Sequence, residues 1–149
     1  MLPSASAFPR VWLTLDDEPL WLEVDEVLES QAEQLALFGG PPGIRDIGLI
    51  ESALMRPQNM FYYENVDDLL VLAVRLGVGI AENHGFFDGN KRTGAAAMIE
   101  FLAINGYFLD MPNDTTLGAL FEATVAGRMT EEEFVENLYP YVDPVSDER

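Results

Sequence analysis

The chain has 149 residues, enough for one hydrophobic core but not for two. Eight Lys and Arg stand against 26 Asp and Glu, a formal charge of −18 that repels nucleic acid and anionic membrane surfaces. With no cysteine and a single histidine, disulfide frameworks, thiolate zinc sites and multi-histidine metal centres are excluded, while an oxygen-liganded cation such as Mg2+ stays open.

Residues 1–23 read as an N-terminal arm, in which Trp12 and Leu13 alternate loosely with Leu20 and Trp21 around "DDEP". A small hairpin or an extended arm fits that pattern. From Val24 the apolar residues Val27, Leu28, Leu35 and Phe38 follow helical spacing, with the polar Gln31 among them, and "GGPPG" at 39–43 stops the helix. Asp46 can cap a short helix carrying Leu49, Ile50, Ala53 and Leu54, which is expected to end at Arg56 because Pro57 follows. The next stretch, "PQNMFYYEN", reads as a loop with exposed aromatics.

Residues 67–83, "DDLLVLAVRLGVGIAEN", begin with an aspartate pair and are apolar nearly all round, as a central buried helix is. Asn90 to Asn105 is a second long helix, rich in alanine and stopped by Gly106. Thr115 or Thr116 can start a further helix ending near Gly127, and Thr130 with Glu133 forms a capping box for a last one ending before Pro140. Residues 141–149 read as a flexible tail. The fold class expected is all-α with one small β element, as a single domain over 24–140. No apolar run approaches the roughly 18 residues of a membrane span, and no signal peptide is visible, so the expected location is the cytoplasm.

Between the two long helices lies "HGFFDGNKRT", which gathers the only histidine, His84, and the only lysine, Lys91. Such a junction offers free backbone N–H groups and the positive end of a helix dipole. Gly89 permits a tight turn, Asn90 adds a neutral donor, and Lys91 and Arg92 add two cations to a very acidic chain. Asp88 can bind Mg2+, and His84 can accept a proton near neutral pH. Together these describe a phosphoryl- or nucleotidyl-transfer site. A structural histidine, an Asp-Gly turn and a solvated first helical turn are the plain alternatives, although cations at a helix start oppose its dipole.

The same stretch resembles the signature of the Fic/Doc superfamily, and residues 24–139 look like its Doc (death-on-curing) branch. The resemblance implies a helical domain with the active-site loop between two long helices and room for a small β-hairpin flap, placed at "RPQNMFYY". It implies His84 as the catalytic base, Phe86 as loop anchor, Asp88 as the Mg2+ ligand, and Gly89, Asn90, Lys91 and Arg92 as the nucleotide-phosphate cradle. Fic adenylyltransferases usually carry glycine at the position of Lys91 and an arginine at that of Ala95, so the chain leans toward Doc. The activity implied is transfer of the γ-phosphate of ATP to a hydroxyl of a translation factor, elongation factor Tu in the Doc branch, arresting translation. A nucleotidyltransferase using the same His84 is the enzymatic alternative, and a non-catalytic nucleotide- or partner-binding module is the other. No Ser/Thr-x-x-x-Glu-(Gly/Asn) inhibitory helix is found, so the expected regulator is a separate antitoxin protein, with neither nucleic acid nor membrane as partner.

Overall fold

The structure, a computed structural model, describes residues 13–145. Its elements in chain order are α1 (Val24–Phe38), α2 (Ile47–Tyr63), α3 (Leu69–Asn83), α4 (Asn90–Ile104), β1 (Tyr107–Leu109), α5 (Asp114–Val125), α6 (Glu131–Leu138) and β2 (Val142–Pro144). The fold is all-α, with α3 at its centre. None of the helices among the described residues is long and apolar enough to cross a membrane.

The apolar run of α3 explains its place: within the helix only Val71, Arg75, Glu82 and Asn83 escape full burial. Each fully buried Leu, Val or Ile contributes about 1.5–3 kcal/mol relative to exposure, and α2 and α4 supply most of the cover. Asp68 starts the helix by accepting the Leu70 N–H at 3.0 Å. Against α4 the approach is closer than ordinary side chains allow. A Cβ on Gly77 would lie 2.7 Å from the Gly94 carbonyl oxygen and 2.9 Å from Met98 Cβ, and one on Gly94 would collide with the Gly77 carbonyl. This glycine pair lets the backbones touch and draws the end of α3 toward the start of α4.

Helix α1 ends at Phe38 before Gly39, and α6 carries the reciprocal Thr130–Glu133 capping box. Elsewhere three expectations fail. Helix α2 does not stop at Arg56 but runs through Pro57 to Tyr63. A mid-helix proline costs about 3 kcal/mol. Here Pro57 is itself buried on the face formed by Ile50, Ala53 and Leu54, so tertiary packing outweighs the local penalty. The side chain of Gln58 also donates to the Leu54 carbonyl at 3.4 Å. The residues assigned to a β-hairpin flap, 56–63, are therefore the last two turns of α2. Trp21 packs edge-on against Phe61, and Tyr62 donates its hydroxyl to Glu18.

Of the two readings of the arm, hairpin or extended segment, the described part takes the second, and Trp12 lies outside the described residues. Thr14 bridges to Asp68, the Leu15 N–H reaches the Asp67 carbonyl at 2.8 Å, and Leu13 and Leu22 are only 1% and 3% exposed. Apolar side chains here found partners in the core before they found a strand partner. Asn105 holds the same segment by pairing its amide with the Leu20 N–H and carbonyl at 2.8 and 2.9 Å. The expected flexible tail likewise starts as a strand. Antiparallel β1 and β2 pair Tyr107 with Pro144 and Leu109 with Val142, and Val142 is buried. Residues 146–149 lie outside the described residues.

Candidate active site

The loop from His84 to Gly89 joins α3 to α4, and its geometry follows from a few strong local constraints. His84 ends α3 in the left-handed conformation, φ 52° and ψ 46°, which reverses the chain. Phe86 is 2% exposed and anchors the loop in the core, while Phe87 faces outward. Gly89, at φ 78°, turns the chain into α4 with a conformation that a side chain would oppose.

Asn90 fastens this turn. Its side-chain oxygen accepts the Phe86 N–H and its amide donates to the Phe86 carbonyl, both at 3.0 Å, and the residue is 9% exposed. The Asn90 side chain is thus committed to the loop, and what it can offer a ligand is its backbone N–H. The first helical bond of α4 runs from the Thr93 N–H to the Gly89 carbonyl at 2.8 Å. The N–H groups of Asn90, Lys91 and Arg92 therefore have no intrahelical acceptor, and the positive end of the α4 dipole adds to them.

These groups open onto a cleft of about 600 Å³. It is lined by His84, Asp88, Gly89, Asn90, Lys91, Arg92 and Ala95, together with the α5 residues Gly118, Phe121 and Glu122. His84, Lys91 and Arg92 are exposed to solvent, and Phe86 lies beneath in the core. The structure thus brings all the residues singled out in the loop together, with Phe86 and the Asn90 side chain facing inward and the rest at the cleft.

Asp88 accepts the Gly89 N–H on Oδ1 at 2.7 Å, while its Oδ2 lies against Gly40. No cluster of three or more His, Cys, Asp or Glu suited to a metal occurs among the described residues. This donor set fits Mg2+ held by one carboxylate together with phosphate oxygens and water, and does not fit a cage built wholly of protein ligands.

Several residues that shape the site carried no local signal. The segment before α2 pairs with the loop: Ile44 bridges to Phe86, the Phe87 N–H reaches the Gly43 carbonyl at 3.3 Å, and the N–H groups of Arg45 and Asp46 reach the Gly85 carbonyl at 2.8 and 3.0 Å. Arg45 Nε donates to the His84 carbonyl at 2.7 Å and Nη2 to that of Asn83 at 3.4 Å. Asn83 donates its amide to the Leu49 carbonyl at 2.9 Å. The partners of the Arg45 and Asn83 side chains are some 34–39 residues away in sequence. Gln31, the polar residue in the apolar stripe of α1, did leave a trace: it is buried and donates to the Asp88 carbonyl at 3.3 Å. Farther from the cleft, Arg75 ties the end of α3 to α6 through Glu82 at 3.0 Å and Glu131 at 2.9 Å. Burial pushes the Glu131 carboxyl above its usual range, more than the neighbouring Arg75 lowers it.

A helical domain built round one buried helix, with a His-to-Arg loop at its exit, defines a family. This chain belongs to the Fic/DOC family, whose model matches residues 21–102, more than half of its length. Over 98 residues it is 34% identical to "Protein kinase doc" of Escherichia phage P1, covering 64% of this chain and 78% of the phage protein. Over 87 residues it is 44% identical to "Toxin Doc" of Mycolicibacterium smegmatis, covering 58% of this chain and 65% of that protein.

Proposed function

We propose that this chain is a Doc-like toxin that acts as a protein kinase, transferring the γ-phosphate of ATP to a hydroxyl of elongation factor Tu and arresting translation. The observation that carries this reading is the meeting of one exposed histidine with a cradle of unpaired N–H groups and two cations, in a chain of charge −18. The names of the two relatives support the kinase and toxin parts of it.

The N–H groups at the start of α4 offset the charge that builds on the phosphates in the transition state, while Lys91 and Arg92 bind and orient those phosphates. The His84 imidazole takes the proton of the acceptor hydroxyl. The acceptor oxygen then forms its bond to the γ-phosphorus as the bond to the β-γ bridging oxygen breaks, and ADP leaves. Asp88 would hold Mg2+, which would supply positive charge to the phosphate oxygens. Phe86 and the Asn90 side chain act indirectly, by keeping the loop rigid. A separate antitoxin is the regulator in this reading, and the cytoplasm its setting.

The test is intact-protein mass spectrometry of elongation factor Tu after incubation with the protein, Mg2+ and ATP, with His84→Ala in parallel. A gain of one phosphate that the variant does not produce is the expected result. A gain of one adenylate would replace the kinase with a nucleotidyltransferase, and an unmodified target that still binds would leave a non-catalytic module.

A further inference from the structure

We propose that the connection between α1 and α2 is the positioning frame of the site, with Arg45 holding His84 and Phe38 holding Arg92. The inference rests on the kinase reading for the roles of His84 and Arg92, and neither Arg45 nor Phe38 needs to touch substrate.

The first half follows from the exit of α3. The left-handed conformation of His84 is one that non-glycine residues adopt reluctantly, so something must hold it. The carbonyls of Asn83 and His84 lie beyond the last intrahelical donors, at the negative end of the α3 dipole. Arg45 supplies both the hydrogen bonds and the positive charge that such an end favours, through Nε to His84 at 2.7 Å and Nη2 to Asn83 at 3.4 Å. Its backbone N–H and that of Asp46 grip the next carbonyl, Gly85. The peptide on which the imidazole is mounted is thereby clamped, while the imidazole itself remains exposed at the cleft.

The second half concerns Phe38, the last residue of α1 and 59% exposed. The Arg92 guanidinium lies over its ring, 4.4 Å from the centroid. In so acidic a chain a carboxylate would be the expected neighbour, yet Arg92 makes no ion pair among the described residues. A neutral ring orients the guanidinium without cancelling its charge, which leaves that charge available to a phosphate. Arg45 follows the same rule, donating to neutral carbonyls. Both residues are exposed, so their loss opens no core.

The two contacts predict opposite kinetic signatures. Arg45→Ala should lower kcat about tenfold, as misplacement of a reacting group does, with the affinity for Mg·ATP, measured by calorimetry, unchanged. Arg45→Lys, which keeps a cation and a donor, should recover part of the loss. Phe38→Leu should weaken Mg·ATP binding about two- to fivefold with kcat unchanged, Phe38→Trp should restore it, and in an Arg92→Ala background Phe38→Leu should add nothing. Urea midpoints are measured on every variant, and if Arg45→Ala does not fold, Arg45→Gln and Arg45→Lys carry the test. Unchanged kcat in the Arg45 variants, or equal loss of kcat and affinity, overturns the first contact. Unchanged affinity in Phe38→Leu, or a further loss in the Arg92→Ala background, overturns the second. Should His84→Ala and Arg92→Ala themselves keep wild-type transfer and affinity, the kinase reading fails instead, which separates the two failures.

Discussion

The α3–α4 crossing and the α1–α2 connection both hold the active-site loop, and they do so by different physics. At the crossing, Gly77 and Gly94 press backbone on backbone in the buried core, so any added atom must displace structure that cannot yield. At the connection, exposed side chains and backbone groups of residues 38–46 bind the loop by hydrogen bonds and one cation–π contact. Steric packing sets where the loop is, and polar contacts set how its functional groups are aimed. Changes at the crossing should therefore register as lost stability, and changes at the loop surface as lost function in a folded protein.

The largest effect expected falls on the functional side. His84→Ala should lower transfer about 10²–10⁴-fold, the usual share of a general base, while urea midpoint and nucleotide affinity stay put, because the imidazole is exposed and acts in the transition state. A parallel drop in stability would mean that His84 is structural. On the crossing side, Gly94→Val should cost about 3 kcal/mol, the upper end for overpacking, read as a shift of the urea midpoint; a near-neutral result would show that the helices can separate. Asn90→Ala should behave as a hybrid. It strips the Phe86 N–H and carbonyl of their buried partner, at about 2 kcal/mol, and should depress transfer at the same time.

Smaller effects sharpen the contrast. Asp88→Ala should weaken Mg2+-dependent ATP binding about tenfold, comparable to losing one charge-assisted interaction, and leave Mg2+-independent binding untouched; calorimetry with and without the ion separates the two. The smallest concerns Glu131, whose carboxyl is held above its usual range mainly by burial. A raised folded pKa means that the native state binds the proton more tightly, so stability is lost as pH rises through the ordinary glutamate range toward the raised value. Glu131→Gln removes that loss, and its stability relative to the parent should rise as pH increases from the ordinary glutamate range toward the raised value. The opposite trend in denaturant titrations would show that the Arg75 ion pair dominates the desolvation.

Much of this protein was legible from the chain alone, for reasons that are local. The buried α3 announces itself by an apolar circumference, α1 by its stripe and its Gly-Pro stop, and α6 by its capping box. The loop from His84 to Arg92 stood out because it concentrates rare residue types in one short span. Tertiary structure alone decided the rest. Local rules ended α2 at Arg56, and only the burial of Pro57 against the neighbouring core carries the helix to Tyr63. Near the N-terminus the pattern allowed a hairpin or an extended arm, and the described residues are extended because Leu13 and Leu22 enter the core. The actual strand pair joins residues 107–109 to 142–144, a partnership no local pattern encodes. The site shows the same division. Which residues form the loop is a matter of sequence, whereas the Asn90 clamp, the Arg45 grip on His84 and the Phe38 ring beneath Arg92 exist only once distant segments meet, because contacts across dozens of residues leave no periodicity to read.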